Sequence, residues 1–509
     1  MTFNLWKFKH PQPQDLQRVF EETTGKKLDW FFHDLIQTTD HIDYKISKVK
    51  FNKDGGVVQV KNKGKVDGPI EVNVINKDKS MNSYWVEPGQ TATSISSKKV
   101  AVDYVMIDAN RDIPELNRSN NYYYPSIPFF MRKQEPLALE FFSGDNEGGK
   151  NNIFWLPIIA GNSNDRTMLG VAVHNFGLGP RPTQYLIAPM YSFGRKMVSG
   201  IAEVSHTFYP ENFFRSSKLG VSAKSFSTNG ISDNPRGAYF VGISPYLLME
   251  FGKKKNNPSI TRTLLIKTIA RHDQWIDNSS NLKLNQVGAM LSYSYLKSKA
   301  DYKYSNETRL ESMQHFKGND NMLRISSATQ FEFKYLRNTM DRWISLRAYI
   351  GYNLYSKSSS WIMPDKYMMS LSGAAGTQDN YLENYYFDRY NTAGMQRDDN
   401  MGGFRSTYNL LSNSWMASVN ATMQLPIKPD LFVAFADFGL RPNSNPNNPV
   451  TSFVNTGLGI KISSFVGIYF PLWRSWNMSN MYANYGKEIR LTLKFNPAGK
   501  PMKLTALMK

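Results

Sequence analysis

The stretch Trp343-Ile-Ser-Leu-Arg-Ala-Tyr-Ile-Gly-Tyr352 alternates between two kinds of side chain at every second residue. Its even positions are apolar and end with Ile350 and Tyr352, whereas its odd positions include Ser345 and Arg347. This alternation is typical of a β-strand with an apolar face on one side and a more polar face on the other. The stretch therefore predicts a strand that buries only one of its faces in its own protein.

The same alternation recurs between about residues 150 and 495, for example in Val287–Tyr295, Val454–Ser463 and Glu488–Phe495. Many of these segments are long, and about 9 to 11 residues per strand suffice to cross a bilayer. We therefore expect a mainly β fold class, with an antiparallel transmembrane β-barrel of about 16 strands over residues 151–509. The predicted strands begin near Thr167, Gln184, Val198, Ser217, Tyr239, Ile260, Val287, Tyr302, Leu323, Ile344, Tyr367, Phe404, Trp415, Leu431, Phe453 and Lys487, with Ser464–Trp473 as a further candidate.

The chain ahead of this region shows two other patterns. Leu16, Val19 and Phe20 share one face at helical spacing, and Gly25 follows them, so residues 1–40 predict a helical hairpin. From Ile42 the period changes to two, with glycine-containing turns between short runs, which predicts a small Ig-like β-sandwich over residues 41–110. Residues 111–150 have no clear period and are interpreted as a linker.

Composition narrows the class of protein. Of the 509 residues 41% are hydrophobic, mean hydropathy is −0.46, and no uncharged apolar run has the length of a spanning helix. The absence of cysteine excludes disulfides and thiolate zinc sites. Although the net charge is +19, lysine and arginine are spread along the chain, so nucleic acid is not an expected partner. Outer-membrane lipid and lipopolysaccharide phosphates, and other envelope proteins, are the expected partners.

The N-terminal sequence does not have the form of a secretory signal, because no charged region is followed by an apolar one. A barrel needs export to reach an outer membrane. We therefore expect the chain to be a piece of a longer exported precursor, located in a bacterial outer membrane with its N-terminal part in the periplasm.

The sequence contains no H-E-x-x-H, G-x-S-x-G or Walker A motif, so we predict no catalytic residue, metal site or cofactor in this chain. A long aromatic interstrand stretch at residues 372–403 supplies the candidate contacts to a partner protein: Tyr381, Tyr386, Phe387 and Arg389. One alternative for this stretch is a solvated loop in which Arg389 pairs with a carboxylate. The other is a hard-cation site formed by its acidic residues, which are Asp379, Glu383, Asp388, Asp398 and Asp399.

The order of these regions resembles a known family. Residues 3–50 are similar to the end of the catalytic region in aminopeptidase N-type gluzincin metallopeptidases, through Asp15, Leu16, Glu21, Thr24, Gly25, Leu28, Phe31 and Phe32. The segments Ile42–Ile46 and Ile107–Asn121 resemble the Bacteroidetes branch, some members of which continue into an outer-membrane barrel. Tyr185–Gly194, Ser370–Tyr381 and Gly402–Arg405 look like that barrel. A weaker similarity connects the chain to sixteen-stranded assembly-factor barrels of the surface-antigen type.

The resemblance implies a barrel that anchors a periplasmic aminopeptidase-like domain, or serves as its conduit. Zinc would then belong only to an upstream domain, since the zinc-binding and substrate-anchoring motifs of the family are absent here. The alternative is a non-enzymatic outer-membrane pore or a subunit of a larger envelope complex. A third interpretation, a soluble basic β-protein that binds polyanions, predicts folding without detergent.

Overall fold

The computed structural model describes residues 12–127, 137–144, 151–162, 165–177, 181–210, 213–227, 239–252, 259–276, 281–316, 319–336, 341–358, 366–373, 380–381, 401–406, 410–443, 445–447, 449–462, 466–478 and 485–493. The chain divides into two compact units. Residues 1–155 and 175–182 form the first unit, and residues 156–174 and 183–509 form the second.

Helical structure is short. The α-helix α1 spans Pro13–Thr24, a π-helical segment spans Trp30–Leu35, and 3₁₀ turns span Arg118–Asn120, Trp476–Met478 and Tyr485–Lys487. Helix α1 begins at a proline, which needs no hydrogen-bond partner in the first turn, and ends at Gly25 with φ of 67°. Among the described residues, no helix combines the length and the apolar character needed to cross a membrane.

The first unit contains a β-sandwich. Its strands are β1 (Tyr44–Phe51), β2 (Gly56–Asn62), β3 (Ile70–Asn76), β4 (Met81–Val86), β5 (Ala92–Ile95), β6 (Val102–Ile107) and β7 (Tyr122–Tyr123). They form two sheets, in the orders β1-β2-β5 and β4-β3-β6-β7. The alternating apolar residues of the two sheets form a common buried core, which includes Ile46, Val58, Val60, Ile70, Val72, Val74, Val102 and Val105.

The region predicted as a linker contains ordered structure at its start. Strand β7 pairs with β6 through Tyr122 and Tyr123, and Ile42 forms an isolated bridge with Glu115. The Glu115 carboxylate accepts hydrogen bonds from the Tyr44 backbone N–H, at 2.6 Å, and from the Asn121 side-chain amide. Residues 113–121 are therefore fixed against the sandwich by polar contacts, which carry no periodic signature in the sequence.

Glu115 makes the stability of the first unit dependent on pH. Burial raises the pKa of its carboxyl to about 8, above the value of about 4.3 expected in an unfolded chain. Between these two values the folded protein holds a proton that the unfolded chain has released, so the free energy of unfolding falls as pH rises. The decrease is at most about 1.4 kcal/mol per pH unit and ceases above about pH 8.

We expect proteolytic cleavage within residues 113–121 to accelerate from about pH 5 to about pH 8. Glu115→Gln should remove most of this dependence, because the amide does not titrate. Rates are corrected for the pH dependence of the protease with an unstructured peptide. An unchanged pH profile in the variant would contradict the assignment to Glu115.

Seventeen further strands of the described residues, most of them long, belong to one barrel. They are β8 (Leu137–Phe141), β9 (Asn151–Asn162), β10 (Arg166–His174), β11 (Thr183–Ser192), β12 (Met197–Phe208), β13 (Phe214–Ser227), β14 (Tyr239–Phe251), β15 (Ile260–Ile276), β16 (Asn281–Ser298), β17 (Tyr302–His315), β18 (Asn321–Leu336), β19 (Arg342–Lys357), β22 (Trp415–Gln424), β23 (Phe432–Pro442), β24 (Val450–Lys461), β25 (Val466–Arg474) and β26 (Arg490–Leu493). Two further strands, β20 (Met369–Ser370) and β21 (Leu411–Ser412), pair only with each other.

Among the described residues, seventeen strands form a closed barrel in the order β10 to β19, β22 to β26, β8, β9. From β10 to β19 each strand pairs with its successor in antiparallel register, as in the seventeen residue pairs of β15 and β16. Strand β8 instead runs parallel to β9. The prediction of a mainly β, barrel-forming chain is confirmed.

Two predicted barrel strands are wrong. The segments that start near Tyr367 and Phe404 alternate locally, but neither belongs to the barrel sheet. Both lie in the connection between β19 and β22, where Tyr367 and Phe404 are fully buried. Conversely, β8 and β9 belong to the barrel but were not predicted as strands. Ser464–Trp473, the further candidate, corresponds to β25.

Candidate functional site

The two faces of the barrel strands differ in polarity. On β19, Ile350 is 60% exposed, whereas on β23 Asp437 is only 1% exposed and its neighbour Phe438 is exposed. Other exposed apolar side chains on the strands include Leu169, Ile187, Val204, Leu219, Ile243, Ile266, Leu291, Leu310, Ile325, Leu346, Val419 and Leu458. Buried charged side chains include Lys224, Lys267, Arg271, Asp273, Arg324 and Arg490. This distribution is the reverse of that in a water-soluble protein.

Part of the connection between β19 and β22 lies inside the barrel. We term its described residues, 366–373, 380–381 and 401–406, the inner segment. Gln286 on β16 and Arg324 on β18 form hydrogen bonds with Tyr367, at 3.1 and 2.7 Å. Arg490 on β26 donates to the Phe404 carbonyl at 2.7 Å. Because strands far apart around the barrel contact this segment, it lies across the lumen.

One anchor of the inner segment is Tyr381. Its hydroxyl lies 2.6 Å from the Ala289 carbonyl oxygen and 2.9 Å from that of Ser312, on two adjacent strands. The Lys267 ammonium lies 5.9 Å from the centre of its ring. Arg271, paired with Asp273 at 2.7 Å, also donates to the Asn380 carbonyl. These contacts fix residues 380–381 to the wall formed by β15, β16 and β17.

The second anchor is Arg405, which inserts into a buried polar site on the opposite strands. Its guanidinium forms an ion pair with Asp437 at 2.8 Å, and its backbone N–H donates to the same carboxylate at 2.7 Å. Asn420 donates to Asp437 as well, and Asn455 donates to the Arg405 carbonyl. The rings of Phe435 and Tyr469 lie 5.1 and 5.4 Å from the guanidinium carbon. The carboxylate and the two rings, together with the Ala421 carbonyl and the Thr422 hydroxyl that accept from the guanidinium, stabilise a charge that would otherwise be costly to bury.

Glycines allow the inner segment to approach the wall. A Cβ atom at Gly439 would lie 2.6 Å from the Phe404 ring, and one at Gly402 would lie 2.4 Å from the Leu371 backbone. Phe404 therefore packs directly on the bare backbone of β23. A side chain at either glycine position would separate the two surfaces.

We expect Gly439→Val to loosen the inner segment, at a cost of about 1–3 kcal/mol from overpacking. Limited proteolysis of the detergent-folded chain should then cut between β19 and β22 faster than in the unaltered protein. Ala436→Val is the matched control, because Ala436 lies on the exposed face of the same strand. Equal cleavage rates in both variants would contradict a close contact between Phe404 and β23.

A polar cavity of about 590 Å³ adjoins the inner segment. Arg347, Gly403 and Arg405 line it where the inner segment meets the wall, and Arg347 donates to the Met401 carbonyl at 2.6 Å. Most of the remaining lining consists of neutral polar and aromatic residues, including Asn306, Thr329, Gln330, Trp343, Ser345, Thr422, Gln424 and Tyr469. The arrangement can hold water or a polar solute, and its extent depends on the position of the inner segment.

The structure places one of the four predicted partner contacts. Tyr381 is buried in the lumen, where its hydroxyl forms a hydrogen bond with the barrel wall, so it is not part of an exposed loop surface. Tyr386, Phe387 and Arg389 lie outside the described residues, as do the acidic residues of the hypothetical cation site. Within the described part of the chain, no cluster of three His, Asp or Glu side chains could hold a metal ion.

Sequence reasoning missed the residues that hold the inner segment. The sequence places Gly402–Arg405 only in a family resemblance and at the start of a predicted barrel strand, and it does not single out Asp437 or Arg490. A signal was present for Asp437, since it is a lone carboxylate between Ala436 and Phe438 in an apolar strand. A buried carboxylate needs a partner, but its partner Arg405 is 32 residues away and cannot be identified from local spacing.

Comparisons with known proteins found no matching family model and no matching curated protein. Solved structures with some similarity include CdiB from Acinetobacter baumannii, with 11% identity and a TM-score of 0.36. That match covers 67% of this chain and 61% of CdiB, so it spans less than two thirds of that protein. BamA from Haemophilus ducreyi lacking POTRA domains 1–3 has 10% identity and a TM-score of 0.34, with 95% and 93% of the chains covered. At these values the similarities carry no functional information.

Proposed function

We propose that this chain is an integral outer-membrane β-barrel protein whose lumen is closed by the inner segment. The observation that carries this proposal is the reversed polarity of the barrel, with leucine, isoleucine and valine outside and ion pairs inside. An exposed apolar band of this kind is stabilised by lipid and destabilised by water. The strands of the second unit, with 9 to 18 residues in β10 to β19, have the length of bilayer crossings.

The experiment is to refold the full chain in detergent and in plain buffer, and to run both samples on gels with and without boiling. A membrane barrel should fold only with detergent, and its mobility should change on boiling because the folded barrel resists unfolding in the gel. A monodisperse folded product in buffer without detergent would contradict the proposal. It would favour the soluble polyanion-binding interpretation.

A gated passage is the function that the lumen supports best. The described residues of the inner segment are not part of the barrel sheet; hydrogen bonds and the Arg405–Asp437 ion pair hold them against the wall, next to a polar cavity. Its displacement would connect that cavity with the space that the segment fills. Planar-bilayer recordings should therefore give low conductance for the unaltered chain. A permanently open pore of high conductance would contradict closure by the inner segment.

The finer proposal, a barrel that anchors an aminopeptidase-like domain, rests on the family resemblance of residues 3–50, of the segments that follow them and of the order of the regions. No family model supports it. Its test is sequencing of the genomic region upstream of this chain. A continuous reading frame with a signal peptide and an H-E-x-x-H motif would support the anchor. A complete gene without zinc ligands would favour the alternative, a non-enzymatic pore or envelope-complex subunit.

A further inference from the structure

One face of the sandwich in the first unit carries an excess of positive charge. Strands β1, β2 and β5 are fully described, and they contain four lysines and no aspartate or glutamate. The lysines are Lys45, Lys48, Lys50 and Lys61. Among the residues that the structure describes, none of these four has a carboxylate within ion-pair distance, in contrast to Lys26 with Glu87 or Lys65 with Asp40.

A β-bulge places these lysines on one face. Successive residues of a strand point to opposite sides, so Lys45 and Lys48, three positions apart, would normally lie on opposite faces. The register of β1 with β2 shifts between Ile46 and Lys48, and Ser47 is the extra residue. Its hydroxyl donates to the Gln59 carbonyl at 3.0 Å. Ile46 and Val49 consequently both face the core, and the lysines face outward.

Repulsion between these lysines lowers the stability of the isolated protein. Lys45 lies directly opposite Lys61 across the strand pair, and Lys48 opposes Gln59, diagonal to Lys61. Like charges at directly opposed positions destabilise a sheet. Gln59, Val57 and Ser94 on the same face are uncharged. Asp43, just before β1, interacts electrostatically with Lys45 and offsets part of the charge, which leaves Lys48, Lys50 and Lys61 in excess. A surface that concentrates cations at a cost to folding is typical of a site for an anionic partner.

We propose that the outward face of β1 and β2 binds an anionic phospholipid surface. The lysines are spread over two neighbouring strands, and long flexible ammonium groups on a pleated face suit many separate phosphates rather than one enclosed ligand. Val57, exposed beside Lys50, adds an apolar contact of the kind that lipid accepts. The inference goes beyond the proposed barrel function and concerns a different unit of the chain.

The test uses the full chain held in nanodiscs of phosphatidylcholine, mixed with separate vesicles that are then floated on a gradient. Vesicles with about 30 mol% phosphatidylglycerol should capture the nanodiscs, and phosphatidylcholine vesicles should not. The variant with Lys45, Lys48, Lys50 and Lys61 all changed to Gln should bind at least about ten-fold more weakly, since each lysine near an anionic membrane contributes. Changing the same four residues to Arg should retain binding.

The matched control changes Lys77, Lys79, Lys98 and Lys99 to Gln, because these exposed lysines of the same sandwich give an identical change in net charge. Binding that falls equally in the control, or does not fall in the first variant, overturns the proposal. Stronger binding to soluble polyglutamate than to vesicles also overturns it, in favour of an acidic protein partner. Failure of the chain to enter nanodiscs would count against the proposed barrel function and would be seen before vesicles are added.

Discussion

Asp437→Ala is expected to release the inner segment and to turn a closed barrel into a conducting one. The substitution leaves the Arg405 guanidinium buried without its carboxylate, and also removes the acceptor for the Arg405 N–H and for Asn420. Breaking a buried ion pair on one side costs about 3–5 kcal/mol. That cost corresponds to a shift of about 100-fold or more in the equilibrium between seated and released states.

Single-channel recording in planar bilayers measures this effect as a rise in open probability. The control is Asp341→Ala, because the Asp341 carboxylate is 57% exposed and its pair with Lys334 lies at the surface. A double variant tests the same ion pair in case Asp437→Ala folds poorly. In Arg405→Met with Asp437→Leu no charge is left unpaired, so stability should recover relative to Asp437→Ala. Equal open probability in Asp437→Ala and the Asp341→Ala control would show that the ion pair does not hold the segment.

Ile350→Arg is expected to destabilise the barrel in lipid, whereas Ser345→Arg on the same strand should be tolerated. Ile350 lies near the middle of β19 on the exposed apolar face, and Ser345 lines the polar cavity. An arginine facing lipid at the bilayer midplane costs about 2–4 kcal/mol, but an arginine in the lumen remains among polar groups.

The measurement is the urea midpoint of the chain folded into phosphatidylcholine vesicles, together with the folded fraction seen on unboiled gels. We expect a clear decrease in both for Ile350→Arg and a small change for Ser345→Arg. Both variants introduce arginine into the same strand, so the order of their stabilities reports which side of the strand faces lipid. Equal destabilisation, or the opposite order, would contradict an apolar exterior in contact with lipid.

Much of the architecture follows from local sequence. The alternation in Trp343–Tyr352 predicts which side chains share a face, and the structure places Ile350 outside and Arg347 in the lumen. Turn signals separate the strands at nearly the observed positions, as at Tyr239, Ile260, Tyr302 and Trp415, where predicted and observed strands begin together. Period-two alternation and hairpin turns are short-range properties, so one sequence suffices to recognise them.

The strands that close the barrel did not follow from the sequence. Strand β8 pairs in parallel with β9. Parallel strands are not joined by a hairpin turn, so the sequence carries no turn signal for this pair. The segments at Tyr367 and Phe404 were instead wrongly predicted as barrel strands. Alternation cannot distinguish a strand of the barrel wall from a segment that lies in the lumen and packs against the wall. A barrel strand and a segment in the lumen can each have one apolar face, and only their long-range contacts distinguish them.

The sequence alone thus determined that the chain is mainly β, that its C-terminal region forms a barrel, and which face of most barrel strands is apolar, because the alternation repeats every two residues. Only the tertiary structure decided that residues between β19 and β22 cross the lumen, and that Arg405 meets Asp437 and Tyr381 meets the carbonyls of Ala289 and Ser312. These partners are separated by 32 to 92 residues. Their meeting depends on barrel closure and strand register, which are properties of the whole sheet and of no single segment.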